Sequence, residues 1–189
     1  MKKNWLREYF SIPNLMGYFR ILMLPVFLTL YVRADSRETY IIAFVILAVS
    51  FLTDFLDGKI ARRFNMITDF GKALDPTADK LTQGTLILAV AFHYPLMWFL
   101  VAVFLLKEGY MAFMGLYLKK KKQVWNGAQW YGKVCTMILD VGLFVLLLFI
   151  HLPMWAADVI ILVMALFMLF SLIKYILFHI GIMRGTNKK

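Results

Sequence analysis

Cysteine and charged residues are both scarce in this chain of 189 residues. Cys135 is its single cysteine, which excludes an intrachain disulfide and a metal site built on cysteines. Charged side chains make up 17% of the sequence, against about 25% in a typical soluble domain, while hydrophobic residues reach 62%. A water-facing fold of this size has too little interior to hide so much apolar surface. We therefore predict a membrane protein.

Long polar segments are also missing, and short connections separate the apolar runs. The length allows about six spans of roughly 20 residues, which excludes a large extramembrane domain. We predict an all-α integral membrane protein, with residues 1–189 forming one membrane domain of six transmembrane helices. The runs are Leu15–Val32, Tyr40–Ile60, Leu74–Phe92, Pro95–Leu118, Gly132–Leu152 and Trp155–Ile180. Before them, Trp5, Leu6, Tyr9 and Phe10 lie at helical spacing beside basic residues, which predicts a short interfacial N-terminal helix.

Acidic residues are the scarcer charge, and the net charge is +10. The cations lie mainly in alternate connections between apolar runs, such as Arg62 and Arg63, and not along one polar face. By the positive-inside rule, this pattern predicts a cell-membrane protein with both termini in the cytoplasm. The Lys119–Lys122 run fits an orientation signal or a contact with anionic lipid headgroups. No aromatic residues interleave these lysines, so we expect no nucleic-acid partner.

Four aspartates lie inside or beside apolar runs, where an ionisable group is costly unless it has a partner or water. Asp54 and Asp57 are three residues apart, and Asp75 and Asp79 are four apart, so each pair lies on one face of its helix. The connection near residues 63–72 makes the two helices antiparallel. This register places Asp54 opposite Asp79 and Asp57 opposite Asp75. The sequence thus predicts one carboxylate cluster, and an active site that faces the cytoplasm.

Such a cluster needs compensating cations, because four ionised carboxylates repel one another in a low-dielectric pocket. Oxygen ligands favour hard ions, so we predict a site for two Mg²⁺ or Mn²⁺ ions, an arrangement that suits phosphoryl-type displacement. Gly58 and Gly71 would let phosphate groups approach the backbone, and Arg62 would bind phosphate oxygens. The alternative is a set of salt bridges to the neighbouring cations, which are Lys59, Arg62, Arg63, Lys72 and Lys80.

These residues carry a family resemblance. The pattern Asp54-x2-Asp57-Gly58-x2-Ala61-Arg62-x8-Gly71-x3-Asp75-x3-Asp79 resembles the signature of the CDP-alcohol phosphatidyltransferase family. Proteins of this family displace CMP from a CDP-linked lipid or alcohol with an alcohol hydroxyl, using two divalent cations. The resemblance implies that Asp54, Asp57 and Asp75 bind metal, and that Asp79 is both a metal ligand and the general base. It implies that the CDP group is bordered by Asn14, Gly58, Ala61, Arg62, Thr68 and Gly71.

Two stretches are similar to the phosphatidylglycerophosphate synthase branch of the family. They are Ile12-Pro13-Asn14-Leu15-x4-Arg20 and Thr68-Asp69-Phe70-Gly71-Lys72-x2-Asp75-Pro76-x2-Ala78-Asp79-Lys80-Leu81. The likeness implies transfer of the phosphatidyl group of CDP-diacylglycerol to glycerol 3-phosphate, with release of CMP. Phosphatidylglycerol, serine and an inositol phosphate stay open as other acceptors. The acceptor's phosphate needs cations, for which the candidates are Lys133, Lys107, Lys80 and Arg20. The resemblance also implies a homodimer.

Two other classes of protein also place acidic residues in apolar helices. Asp-rich membrane prenyltransferases bind Mg²⁺-diphosphate, but their acidic motifs lack the Gly-x2-Ala-Arg element found here, and we would expect more helices. A divalent-cation transporter would need polar residues continuing to the outer face. The sequence beyond Asp54 and Asp79 is mostly apolar, which disfavours transport.

Overall fold

Six α-helices contain most of the residues that the computed structural model describes, which are 8–64, 66–121, 129–149 and 152–183. The helices are α1 (Ile12–Val32), α2 (Arg37–Arg63), α3 (Gly71–Ala91), α4 (Met97–Lys120), α5 (Trp130–Leu148) and α6 (Met154–Met183). No strand occurs within the described ranges. The all-α class and the count of six long helices are confirmed.

The predicted interfacial helix before α1 is not shown. Trp5 and Leu6 lie outside the described residues, and only Glu8 and Tyr9 have helical backbone before the chain bends at Phe10. Ser11 is extended, with φ −65° and ψ 152°, and Pro13 lies in the first turn of α1. Proline suits that turn because its fixed φ is helical and its missing N–H would have had no helical partner. A break in the helical backbone therefore precedes α1.

The count of membrane spans differs from the prediction. Among the described helices, α1, α2, α4, α5 and α6 are long and apolar enough to cross a membrane, and α3 is not. The first ten residues of α3 contain Lys72, Asp75, Asp79 and Lys80, which lower its hydropathy. The chain is a multi-pass membrane protein with five apolar spans and one helix whose first half carries predicted site residues.

The residues at the two ends of α2 explain where the helix begins and ends. Ser36 caps the N-terminus, where its side-chain oxygen accepts a hydrogen bond from the Thr39 backbone N–H at 3.2 Å. Glu38 lies in the first turn, and Arg62 and Arg63 lie in the last. Each charge opposes the partial charge of the helix end beside it. The basic turn that the sequence assigns to the cytoplasmic side is thus also the stabilised C-terminus of α2.

The described chain groups into two compact units, and the boundary between them in the sequence falls between Ala89 and Val90, near the end of α3. In the first unit, α1 packs along α2. An aromatic cluster joins the end of α1 to the start of α2: the Tyr31 ring lies 5.2 Å from the Tyr40 ring, and their hydroxyls are 3.2 Å apart. Gly17 of α1 approaches Leu74 of α3 so closely that a Cβ on Gly17 would lie 3.0 Å from the leucine.

In the second unit, α6 packs against both α4 and α5. Gly142 of α5 lies against the Met164 side chain of α6, which permits close approach of the two helices. The hydroxyl of Tyr175 accepts a hydrogen bond from the Gln129 backbone N–H at 3.3 Å, just before α5 begins. Nδ1 of buried His179 lies 3.1 Å from the Tyr110 hydroxyl of α4. These polar pairs connect α6 to α4 and to the residue before α5.

Candidate active site

Arg20 of α1 lies among three of the four predicted aspartates. Its Nη1 donates to Asp54 of α2 and, at 2.9 Å, to Asp79 of α3, while its Nη2 is 3.7 Å from Oδ2 of Asp57. The arginine side chain is only 3% exposed. Asp54 and Asp79 therefore meet at one guanidinium nitrogen, which agrees with the antiparallel register that the spacing predicted. The aspartates of α2 and α3 do not simply face each other, however, because α1 places the cation Arg20 among them.

Charge still does not balance in this cluster. Arg20 is the only buried Lys or Arg among the described residues of the first unit, whereas three carboxylates form ion pairs with it. Oδ2 of Asp57 is buried and has no hydrogen-bond partner, and the Asp57 side chain is 7% exposed. A surplus of carboxylate oxygens, one of them unsatisfied, is the donor set that hard divalent cations prefer. The residues present therefore fit the predicted magnesium or manganese ions.

The acidic side chains do not adopt the arrangement of a complete metal-binding site. Within the described ranges, no group of three His, Cys, Asp or Glu side chains converges closely enough to hold one ion. The physical reason is visible in the contacts, because the carboxylates of Asp54 and Asp79 point to the Arg20 guanidinium. Asp79 is also 58% exposed, so one of its faces is open to a ligand.

A cavity of about 190 Å³ opens beside the acidic cluster. It is formed within the first unit by the start of α1, the end of α2 and the start of α3. All six residues predicted to border the CDP group line it, together with two of the aspartates: Asn14, Gly58, Ala61, Arg62, Thr68, Gly71, Asp57 and Asp75. Residues 50 or more positions apart in the sequence thus line the same cavity beside the aspartates.

The two glycines of the cavity differ in what surrounds them. A Cβ on Gly71 would lie 2.7 Å from Oδ1 of Asn14 and 3.0 Å from Oγ1 of Thr68. A Cβ on Gly58 would meet only Nη2 of Arg62, at 3.8 Å, which is an ordinary contact. Packing within the chain therefore explains Gly71 and does not explain Gly58. The open space above Gly58 is the cavity itself.

A hydrogen-bond network connects the cavity walls. Nδ2 of Asn14 donates to Oγ1 of Thr68 at 3.2 Å, and the same oxygen accepts from the Gly71 backbone N–H at 2.9 Å. Nε of Arg62 donates to the Gly58 carbonyl at 3.0 Å. That contact holds the guanidinium at the mouth of the cavity, where Arg62 is exposed. The polar groups of the wall are thus ordered, while the arginine stays accessible to an anion.

The cations of the salt-bridge alternative mostly have other contacts. Lys72 pairs with Asp69 at 3.2 Å, Arg62 contacts Gly58, and Nζ of Lys59 lies 4.1 Å from the centre of the Phe55 ring. The counter-ion that the carboxylates do have, Arg20, was not in that set. Sequence reasoning assigned Arg20 to the acceptor phosphate, and its spacing carried no signal that it would lie among the acids.

The other candidates for binding the acceptor's phosphate lie apart in the sequence and have different surroundings. Lys80 of α3 donates to Oε1 of Gln83 at 3.3 Å. Lys107 of α4 is buried and forms an ion pair with Glu108 at 2.6 Å. Lys133 lies in the first turns of α5 and is exposed. Of these three lysines, Lys133 is therefore the most accessible to a ligand.

Sequence reasoning missed Glu8. Its carbonyl accepts a hydrogen bond from Nδ2 of Asn14 at 2.7 Å, and its Oε1 accepts one from the Phe70 backbone N–H at 3.1 Å. Both partners adjoin or line the cavity. The available signal was weak: Glu8 is the single acidic residue in the first 34 positions, in an otherwise basic and aromatic segment.

The chain is similar to known proteins of one family. The family model described as CDP-alcohol phosphatidyltransferase matches residues 10–176, which include both units. A Mycobacterium tuberculosis protein named "Probable phosphatidylglycerophosphate synthase" is 30% identical over 143 residues, covering 72% of this chain and 66% of the relative. The Escherichia coli K12 protein named CDP-diacylglycerol–glycerol-3-phosphate 3-phosphatidyltransferase is 36% identical over 89 residues, covering 47% of this chain and 48% of the relative. The chain thus matches about two thirds and about half of the lengths of these relatives.

Proposed function

The chain belongs to the CDP-alcohol phosphatidyltransferase family, and we propose that it transfers the phosphatidyl group of CDP-diacylglycerol to glycerol 3-phosphate. The products would be phosphatidylglycerophosphate and CMP. The name of the Escherichia coli relative supports this donor and acceptor, and the name of the Mycobacterium tuberculosis relative supports this product. The single observation that carries the proposal is the cavity in which the six residues assigned to CDP meet Asp57 and Asp75.

The proposed nucleotide contacts follow from the cavity walls. Gly58 leaves room for a phosphate to approach the α2 backbone, and Arg62 presents a cation beside it. Asn14 and Thr68 supply side-chain amide and hydroxyl groups, held in place by each other and by Gly71. Such a wall offers neutral donors and acceptors for the cytidine and sugar, and the cations Arg62 and Lys72 for the diphosphate.

Family members generally depend on divalent metal ions, and we assign Asp54, Asp57, Asp75 and Asp79 as the ligands for two Mg²⁺ or Mn²⁺ ions. When bound, the ions would neutralise the diphosphate and stabilise the charge on the departing CMP. Arg20 would then contribute the fixed part of the positive charge, because a guanidinium stays protonated at any physiological pH. The chain's own contribution is to hold four acids at one place, at the expense of their mutual repulsion.

We assign Asp79 as the base that accepts the proton of the acceptor hydroxyl. It is the more exposed of the acids in contact with Arg20, at 58% against 41% for Asp54 and 7% for Asp57, so an alcohol can reach it. Arg20 is a counter-ion of this carboxylate, with Nη1 2.9 Å from Oδ1 of Asp79. Lys133, the most accessible lysine candidate, would bind the acceptor's phosphate, with Lys80, Lys107 and Arg20 as the other candidates.

The remaining parts of the proposal concern the setting of the enzyme. We place both termini and the active site on the cytoplasmic side of the cell membrane, because the basic last turn of α2 borders the cavity. The single catalytic domain would extend over residues 1–189, in keeping with a family match that includes both units. A homodimer follows from the family resemblance.

An acceptor screen tests the function. Purified protein in detergent would receive CDP-diacylglycerol and Mg²⁺ with one acceptor at a time, and released CMP would be measured. We expect glycerol 3-phosphate to support the fastest release. Faster release with phosphatidylglycerol, serine or an inositol phosphate would move the protein to another branch of the same chemistry. No release with any acceptor, from protein that still binds CDP-diacylglycerol, would contradict the transferase assignment.

A further inference from the structure

The segment before α1 contacts the segment before α3 at several points. Oε1 of Glu8 accepts a hydrogen bond from the Phe70 backbone N–H at 3.1 Å, across 62 positions of sequence. The Tyr9 ring lies 4.8 Å from the Phe70 ring, and the Tyr18 ring of α1 lies 6.2 Å from it on another side. The hydroxyl of Tyr18 also donates to the Tyr9 carbonyl, at 3.4 Å. Phe70 is thus held by its backbone and by its ring.

Phe70 lies between residues that line the cavity. Thr68, Gly71 and Lys72 are all wall residues, and Phe70 itself immediately precedes the first residue of α3. The backbone N–H groups at a helix N-terminus have no partners within the helix and carry partial positive charge. A carboxylate on one of them therefore stabilises both the helix start and its position. Glu8 supplies that carboxylate from outside the motif.

Glu8 also reaches the opposite wall. Its backbone carbonyl accepts from Nδ2 of Asn14 at 2.7 Å, and Asn14 in turn donates to Thr68 at 3.2 Å. One residue thus contacts the α1 wall through its backbone and the α3 wall through its side chain. The distance between these walls decides whether Asn14 and Thr68 can contact the same ligand.

We propose that Glu8 is a positioning residue that sets the 68–72 segment against Asn14 and thereby fixes the width of the nucleotide cavity. The inference rests on the proposed function, because it takes the cavity to be the site of the CDP group. Glu8 acts through Phe70 and Asn14 and does not itself line the cavity. Its side chain determines affinity for the CDP-linked donor, while the aspartates determine the chemical step.

Three substitutions separate reach from charge. Glu8→Gln keeps an oxygen at the right distance and loses the charge, whereas Glu8→Asp keeps the charge and withdraws it by one methylene. Glu8→Ala removes both. None changes the Glu8 carbonyl, so the backbone bond to Asn14 is common to all of them. Glu38→Ala is the matched control, because Glu38 is an exposed acid in the first turn of α2, away from the cavity.

Steady-state CMP release would be measured with CDP-diacylglycerol and glycerol 3-phosphate varied separately, alongside the thermal midpoint of each purified variant. For Glu8→Ala and Glu8→Asp we expect KM for CDP-diacylglycerol to rise about fivefold, because both withdraw the side-chain oxygen from the Phe70 N–H and a hydrogen bond of about 1 kcal/mol is lost. Values of kcat and of KM for glycerol 3-phosphate should stay within about twofold of wild type, as should every parameter of Glu8→Gln and Glu38→Ala.

The outcomes are distinguishable. An unchanged donor KM in both Glu8→Ala and Glu8→Asp would overturn the inference, as would equal impairment of Glu8→Gln, or a loss confined to kcat. If Glu8→Ala does not fold, the Glu8→Asp and Glu8→Gln pair still decides between reach and charge. Absence of CMP release from the wild-type chain would refute the proposed function, and this inference with it. Activity in wild type with flat donor KM values would refute this inference alone.

Discussion

Both units of the protein bury polar and charged side chains, but they balance them differently. In the second unit, buried Lys107 has an adjacent partner in Glu108 at 2.6 Å, and buried His179 lies 3.1 Å from Tyr110. In the first unit, one buried arginine faces Asp54, Asp57 and Asp79, and Oδ2 of Asp57 accepts no hydrogen bond. The pairs of the second unit offset the cost of burying a polar group with a partner from the same chain.

We place the proposed site at the unbalanced cluster. Holding like charges together without compensation is unfavourable, so a chain that gathers them leaves room for a cation that is not part of it. In the second unit the buried charge, Lys107, has a carboxylate partner within the chain. The comparison therefore predicts that substitutions in the acidic cluster and cavity of the first unit change activity, whereas substitution at the Tyr110–His179 pair of the second unit changes stability.

The largest expected effect comes from neutralising one of the two acids that line the cavity of the first unit. Asp57→Asn or Asp75→Asn should lower kcat by at least about 1000-fold, because a lost metal ligand removes several kcal/mol of charge stabilisation. The thermal midpoint without metal should stay the same or rise, since repulsion is relieved. CMP release and thermal unfolding, each with Mg²⁺ and with EDTA, measure the two effects. A near-wild-type rate in either variant, or full activity in EDTA, would remove the metal assignment.

A smaller loss is expected at the exposed acid of the same cluster. Asp79→Asn should depress kcat by at least about 100-fold, the usual contribution of a general base. The KM for CDP-diacylglycerol should change far less, because the cavity is lined by Asp57 and Asp75 and not by Asp79. Varying each substrate separately provides the measurement. Retained kcat in this variant would exclude Asp79 as the base.

An intermediate effect is expected from the open glycine of the cavity. Gly58→Ala adds a methyl group that meets little of the chain, so the fold should be unharmed or slightly stabilised by the better helix former. The same methyl should raise KM for CDP-diacylglycerol about tenfold by occupying ligand space. Gly71→Ala is the contrasting variant and should lower the thermal midpoint, since its Cβ would clash with Asn14. An unchanged donor KM in Gly58→Ala would place the nucleotide elsewhere.

The smallest effect on activity is expected in the second unit. Tyr110→Phe removes the hydroxyl beside His179 and should cost about 1 kcal/mol of stability, or about 3 °C in the thermal midpoint. CMP release by the folded enzyme should stay within about twofold of wild type. A loss of activity comparable to that of Asp79→Asn, with an unchanged midpoint, would show that the polar pairs of the second unit also take part in catalysis.

Much of the fold was predictable because its signals are local. The ends of the six helices lie within a few residues of the ends predicted from the apolar runs. The reason is that the length of an apolar run sets the length of a membrane helix. The number of apolar spans was not predicted correctly, because aspartates and lysines in the first ten residues of α3 lower its hydropathy. The end of α5 at Leu148 also falls four residues before the predicted end.

The candidate site was predictable in part for the same reason. Spacing alone placed the two pairs of aspartates on helix faces, and the family motif supplied six residues that the structure brings to one cavity. The sequence did not reveal that Arg20 would contact Asp54 and Asp79, which are 34 and 59 positions away. Nor did it reveal Glu8, whose partner Phe70 lies 62 positions away.

The sequence by itself determined that this chain is helical, resides in a membrane and carries four acids at spacings that suit metal-assisted phosphatidyl transfer. These properties depend on residue types and on periods of three and four residues, which the helix converts directly into faces. Only the tertiary structure decided that α1 would insert Arg20 among the acids and that Glu8 would join two walls of the cavity. Those contacts depend on how α1 packs against α2 and α3, and packing between helices is set by many weak contacts that no local period encodes.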